Sequence, residues 1–280
     1  MASIFYTSLE ERWRQNTVVC VGLDIDYDRL PEAVTRAGSV EDGLFVFGRD
    51  IIDATQDLVC AYKPNSAFFE AQGEAGWRAL VRIVHYCKSA YPHIPVILDA
   101  KRADIGSTNV GYVAAAFEYI GADAITVHPY LGQEAMSPFL ERRDKGILVL
   151  VKNSNPGSGE FQDLPVGEER TPLYQVVARN VARNWNRHGN CAVVVGATYP
   201  AELARVREIV GDMPILIPGI GVQGGNVAAT VLAGQDSRGR GMIISASRSI
   251  IYASQGPDFA QAARKATVEL NSLINRYRRA

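Results

Sequence analysis

Eight short apolar runs, each separated from the next by a helix-length stretch, constrain the fold of this chain more than any other feature. They are Val18–Leu23, Leu58–Tyr62, Val96–Leu98, Ala124–Val127, Ile147–Val151, Ala192–Val195, Ile215–Ile217 and Met242–Ile244. Runs this short and this rich in Val and Ile read as buried strands. Eight of them alternating with helices over 280 residues predict an α/β fold, a single parallel (β/α)8 TIM barrel. An open doubly wound sheet is the alternative, and eight regular alternations favour closure. The length suits one such barrel. With no internal repeat, low-complexity tract or break in composition, residues 1–280 are read as one domain.

The intervening segments carry helix signatures. Trp77, Leu80, Val81, Val84 and Cys87 fall on one face at the i, i+3, i+4, i+7 spacing. Pro200 suits the first turn of a helix over Ala201–Val210, and Gly211 suits a left-handed cap at its end. Ser8-Leu9-Glu10-Glu11 reads as a capping box ahead of a helix containing Trp13. Pro257 and Asp258 open a final long helix toward Tyr277. One segment has no periodicity: Asn153 to Arg170 is rich in Gly, Pro, Ser and Glu. A loop of that length in a compact barrel is expected to be a lid, or else disordered.

Composition narrows the function classes. A net charge of −1 gives no support to nucleic-acid or anionic-membrane binding through bulk electrostatics. The longest apolar runs, such as Gly146 to Val151, are far too short to span a bilayer. The stretch Met1-Ala2-Ser3-Ile4-Phe5-Tyr6 has no basic region and no long apolar segment, so no secretory signal is expected. Cys20, Cys60, Cys87 and Cys191 are far apart and lie in apolar runs or on an apolar helix face, as core residues in a reducing compartment would. A cytoplasmic location is expected.

Barrels of this kind place their active sites at the C-terminal ends of the strands. Asp24 follows the first predicted strand, Lys63 the second, Asp99 and Lys101 the third, His128 the fourth and Ser154 the fifth. The third is the richest. In Asp99-Ala100-Lys101-Arg102-Ala103-Asp104 the polarity flips abruptly after an apolar strand. Residues two apart on a strand point the same way, so Asp99 and Lys101 project together, with Asp104 in the loop beyond. Such a cluster can keep a lysine protonated and aim it at a developing negative charge. A surface ion-pair patch is the other reading, and the apolar strand upstream argues against it.

The seventh and eighth strands end in Pro218-Gly219-Ile220-Gly221-Val222-Gln223-Gly224-Gly225 and Ser245-Ala246-Ser247-Arg248. A glycine turn lets backbone N–H groups approach an anion, and an arginine supplies a fork of donors. Together they point to a phosphorylated substrate. No HExxH, GxSxG, Walker or Ser/His/Asp pattern is present, and no carboxylates have a spacing that demands a metal. His85, His93 and His188 read as structural or solvated, and His128 as a hydrogen-bonded strand-end residue.

These motifs resemble the orotidine 5′-monophosphate decarboxylase family. The resemblance rests on Leu98-Asp99-Ala100-Lys101-Arg102-Ala103-Asp104-Ile105-Gly106-Ser107-Thr108, on Lys63 in KPN, Ser154 in SNPG, Gln223 in PGIGVQGG and Arg248 in ASRSI. The landmarks run in family order from Asp24 to Arg248, and the phrases around Ser154 and Thr198-Tyr199-Pro200 resemble the longer bacterial-type branch. D-x-K-x-x-D alone is shared with sugar-phosphate enzymes of the superfamily; the set of landmarks is specific.

The resemblance implies a cofactor-free lyase that converts orotidine 5′-monophosphate to uridine 5′-monophosphate and CO2, the last step of pyrimidine nucleotide synthesis, with no metal. It implies that Lys101 stabilises and protonates the carbanion and that Asp99 orients Lys101. Lys63 and Asp24 would bind the ribose hydroxyls and complete the charge network, and Ser154 the pyrimidine amide edge. Gln223 and Arg248 would hold the phosphate. Asp104 and Thr108 would serve the partner's site in a homodimer with shared active sites. Two rivals remain: a magnesium-dependent sugar-phosphate decarboxylase or aldolase, which would carry a carboxylate where Lys63 stands, and a non-catalytic nucleotide-phosphate-binding barrel.

Overall fold

The structure is a computed structural model and describes residues 3–35, 38–220 and 226–279. The strands, in chain order, are β1 (Val19–Leu23), β2 (Val59–Pro64), β3 (Ile97–Arg102), β4 (Ala124–Val127), β5 (Gly146–Lys152), β6 (Pro165–Val166), β7 (Thr171–Pro172), β8 (Cys191–Val195), β9 (Ile215–Pro218) and β10 (Met242–Ala246). Eight form one parallel sheet in the order β2-β1-β10-β9-β8-β5-β4-β3. Isolated parallel bridges, Tyr62 to Val96 and Asn65 to Asp99, join its two edges. The eight-stranded barrel is therefore the fold. Every residue of β1, β8 and β10 is buried, because helices cover the outside and side chains fill the inside.

One end of the barrel is sealed by the N-terminal helix, Ile4–Arg14. Its Phe5 lies where a Cβ on Gly146 would sit, at the start of β5. The Tyr6 hydroxyl donates to the carbonyl of Cys191 at the start of β8, and Arg12 Nε donates to that of Val59 at the start of β2, at 2.7 Å. With the strand N-termini plugged, the barrel interior opens at its C-terminal mouth. Ser3, whose Oγ accepts from Tyr6 N, caps this helix, so Ser8 lies inside it and the capping box read at Ser8 is not formed. The cap falls where the chain enters the helix, and the first turn begins at Ile4 to bring Phe5 onto the barrel.

The other helices follow the sequence pattern. The helix Gly73–Ala90 buries Leu80, Val84 and Cys87, with Trp77 and Val81 packed at the edge of the core. The helix Pro200–Val210 begins at Pro200. Gly211 has φ 60° but ψ −129°, outside the left-handed helical basin, and its N–H still returns to the Arg207 carbonyl. The last helix runs over Phe259–Asn275, with Asp258 at its cap. All four cysteines are buried and free. No helix among the described residues is long and apolar enough to cross a membrane.

The Asn153–Arg170 segment is ordered by small elements that leave no periodic trace. A 3-10 turn over Pro156–Ser158 leads to a helical turn over Gly159–Gln162, then to a hairpin pairing β6 with β7. Buried Lys152 of β5 donates to Asp163 Oδ1 at 2.7 Å and the Tyr199 hydroxyl donates to the Asn155 carbonyl at 3.4 Å, tying the segment to the barrel, while Asn153 N donates to Gln162 Oε1 at 3.0 Å within it.

Candidate active site

Three of the candidate residues lie inside the strands, while Asp24, Ser154 and Arg248 follow theirs. Ladder pairing continues regardless of side-chain polarity, so β2 extends through Lys63 and β3 through Asp99 and Lys101, beyond the apolar runs. At β3 the simple alternation expected from sequence fails. Leu98 pairs with Ile125 and Arg102 with Val127, so three residues, Asp99, Ala100 and Lys101, stand opposite Thr126 alone. Lys101 takes φ 47°, in the left-handed region that non-glycine residues rarely enter. Asp99 and Lys101 still meet, through this bulge rather than through the pleat.

Asp99 is the hub. Its Oδ2 accepts from Lys63 Nζ at 2.7 Å; its Oδ1 accepts from Lys101 Nζ at 2.6 Å and from the Thr126 hydroxyl at 2.9 Å. Asp24 Oδ1 lies 3.8 Å from Lys63 Nζ and, although buried, has no hydrogen-bond partner among the described residues, which leaves an acceptor for a ligand hydroxyl. Burial favours the neutral form of Asp99, but the ammonium groups of Lys63 and Lys101 outweigh it and hold the carboxyl well below the usual carboxylate range. Burial also acts to lower Lys63, and Asp99 and Asp24 overcome it, so that lysine is held above its ordinary value. Asp99 and Lys63 are thus both charged at neutral pH.

These groups line a cavity of about 220 Å³ at the barrel mouth, which Leu150, Val194, Leu216 and Ile220 face from the apolar side. Ser154 lines the same cavity, and so do Gly219, Ser245, Ser247, Arg248 and Ser249. Arg248 is exposed and opens the short helix Arg248–Ile251; among the described residues its guanidinium has no ion-pair partner. A wider cleft of about 670 Å³ shares Lys101, Leu150, Asn153 and Ser154 and reaches Thr198 and Tyr199. The site therefore combines donors for an anion with a cationic centre and apolar walls.

Of the residues expected from sequence, Asp24, Lys63, Asp99, Lys101, Ser154 and Arg248 converge on the cavity. Asp104 and Thr108 do not line it, nor does His128, whose backbone N–H donates to the Arg102 carbonyl. Gln223 lies outside the described residues. The sequence reading passed over three positions. Thr126 is the lone hydroxyl in Ala124–Val127. Gly196 and Gly22 permit close approaches: a Cβ at Gly196 would lie 2.7 Å from Ser154 N, and one at Gly22 would lie 1.9 Å from Ser247 Oγ. A glycine within an apolar strand, or just past its end, is the signal that was available. Among the described residues no three His, Cys, Asp or Glu side chains gather as a metal site would require.

Comparison with known proteins bears on the family and the fold. The family model described as Orotidine 5'-phosphate decarboxylase / HUMPS family matches residues 17–266. The chain is 49% identical over 272 residues to an orotidine 5'-phosphate decarboxylase of Cellvibrio japonicus, covering 97% of this chain and 98% of that protein. It is 50% identical over 275 residues to one of Cupriavidus necator, covering 98% of each. The solved structure of Leishmania donovani OMP decarboxylase superposes with a TM-score of 0.82 at 36% identity, covering 98% of this chain and 99% of that one. With a family match across the whole barrel and identities near one half over almost the full length, the chain belongs to the orotidine 5'-phosphate decarboxylase / HUMPS family.

Proposed function

We propose that this cavity decarboxylates orotidine 5′-monophosphate to uridine 5′-monophosphate and CO2, the last step of pyrimidine nucleotide synthesis, without a cofactor. The observation that carries the reading is Lys101 Nζ, held on Asp99 at 2.6 Å and lining a cavity that Arg248 also lines. Cleavage of the bond between pyrimidine C6 and the carboxylate leaves its electron pair on C6, with no adjacent carbonyl to delocalise it. Preorganised positive charge stabilises that carbanion. Lys101 then passes one proton from Nζ to C6 and regains it from solvent.

Asp99 keeps Lys101 aimed and meets the substrate carboxylate with like charge. The unpartnered Asp24 oxygen and the Lys63 ammonium suit ribose hydroxyls, Ser154 the pyrimidine amide edge, and Arg248 with Gln223 the phosphate. Phosphate binding, remote from C6, then favours closure of the Asn153–Arg170 segment over the base. A magnesium-dependent reaction is disfavoured by Lys63, which places a buried cation where such a reaction needs a carboxylate.

The active form is proposed to be a homodimer with shared sites. Asp104 and Thr108 sit outside their own cavity, beside apolar side chains left open to water: Ile105, Val110, Tyr119, Leu131 and Tyr130, the last 86% exposed. A second copy covering them would receive Asp104 and Thr108 at its mouth. The free, buried cysteines suit a cytoplasmic location.

The deciding experiment follows conversion of orotidine 5′-monophosphate by absorbance and by CO2 release, with and without exhaustive chelation. Turnover unaffected by chelator is expected. No turnover sinks the reading, and turnover lost to chelator and restored by magnesium moves the chain to sugar-phosphate chemistry.

A further inference from the structure

We propose that Thr126 is a positioning residue whose single hydroxyl sets both the backbone and the head group of Lys101; the inference rests on the decarboxylase reading above and deepens it. Thr126 is the one residue of β4 opposite the three-residue bulge Asp99-Ala100-Lys101. A bulge removes residues from the ladder, and their backbone groups then need other partners. The N–H of Lys101 finds its partner in Thr126 Oγ1, at 3.0 Å. The same oxygen donates to Asp99 Oδ1 at 2.9 Å, the carboxylate oxygen that receives Lys101 Nζ at 2.6 Å.

The direction of these bonds is fixed. A backbone N–H only donates and an ionised carboxylate only accepts, so the hydroxyl must accept from Lys101 and give its proton to Asp99. One side chain, 1% exposed, thereby closes a ring through the main chain of Lys101, its ammonium and its orienting carboxylate. Lys101 holds a left-handed φ of 47°, a conformation that persists only where the surroundings over-determine it. The hydroxyl supplies that constraint. When Lys101 leaves Asp99 for the substrate carbon, Thr126 still holds Oδ1, so the carboxylate stays in place behind it. Valine has nearly the same shape and β-branching but offers neither bond. Serine offers both.

The test compares Thr126→Val and Thr126→Ser with the wild-type enzyme, measuring kcat, KM, uridine 5′-monophosphate affinity and thermal midpoint. Thr126→Val should lower kcat by about 10- to 100-fold, the loss expected for hydrogen bonds to charged groups, while KM and product affinity stay within about threefold. Thr126→Ser should stay within about threefold of wild type in kcat. Thr126→Cys, which keeps the volume and offers a weak donor, should fall between serine and valine and serves if valine does not fold. Equal losses in serine and valine, a loss confined to KM, or a cysteine variant as fast as wild type overturns the proposal. Absence of turnover in the wild type overturns the decarboxylase reading instead.

Discussion

Lys63 and Asp99 form the buried half of the charge cluster, 2.7 Å apart, with the Lys63 side chain only 5% exposed. Lys101, on the other oxygen of Asp99, is 52% exposed. The two lysines are therefore not equivalent. Lys63 borders the cavity but is nearly closed off from water, as suits a fixed counter-charge, whereas Lys101 reaches both the cavity and solvent, as a proton donor reloaded after each turnover must.

Replacement of Lys101 tests that division directly. Lys101→Ala should abolish decarboxylation while uridine 5′-monophosphate binding, measured calorimetrically, stays detectable. Lys101→Arg should fail as well, because a guanidinium is a poor proton donor near neutral pH. Substantial turnover in either variant would remove Lys101 from the proton-transfer step.

The shifted pKa values make a stability prediction with a definite sign. Asp99 has a depressed folded pKa, so its contribution is present above the unfolded value of about 3.9 and is lost as pH falls toward the folded one. Lys63 is raised, so its contribution is present below about 10.4 and is lost only as pH rises through its folded value. Asp99→Asn leaves Lys63 buried with Asp24 alone and should lower the melting midpoint at pH 7 by roughly 5–10 °C. That gap should narrow below about pH 4. An equal gap at pH 7 and pH 3, read from denaturation curves, would contradict the assignment.

Gly196 governs the placement of Ser154. An added methyl would press within 2.8 Å of the Ser154 backbone, so Gly196→Ala must displace that turn. A fall in kcat/KM of about tenfold or more is expected with the fold retained, since overpacking costs about 1–3 kcal/mol. Unchanged kinetics would show that Ser154 does not hold the base.

Shared sites predict complementation. Lys101→Ala and Asp104→Ala proteins, each inactive, should regain activity on mixing, because one site of the hybrid dimer carries both defects and the other neither. Demonstrated subunit exchange with no recovered turnover would leave each chain self-sufficient.

Arg248 is proposed to hold the phosphate through a charge-assisted contact worth about 1.5–3 kcal/mol. Arg248→Ala should lower kcat/KM by about one to two orders of magnitude. On the nucleoside orotidine, which has no phosphate, variant and wild type should perform almost equally, and added phosphite should activate the wild type more. An equal loss on both substrates would assign Arg248 to the fold or the chemistry.

Much of this was legible in the sequence because burial and backbone pairing leave local marks. Eight apolar runs specified the strands and hence the barrel, and the polar residues at their ends named Asp24, Lys63, Asp99, Lys101, Ser154 and Arg248 as neighbours at one mouth. The small elements of the Asn153–Arg170 segment left no such mark, since two- to four-residue pieces are too short for a period. Tertiary structure alone decided the bulge that sets three residues of β3 against Thr126, the hydroxyl that binds both ends of it, and the approach of Ser154 to Gly196. These depend on which residue lies opposite across a ladder or a turn. Register and close approach join positions far apart in the chain, and nothing in the local pattern of either strand records its partner.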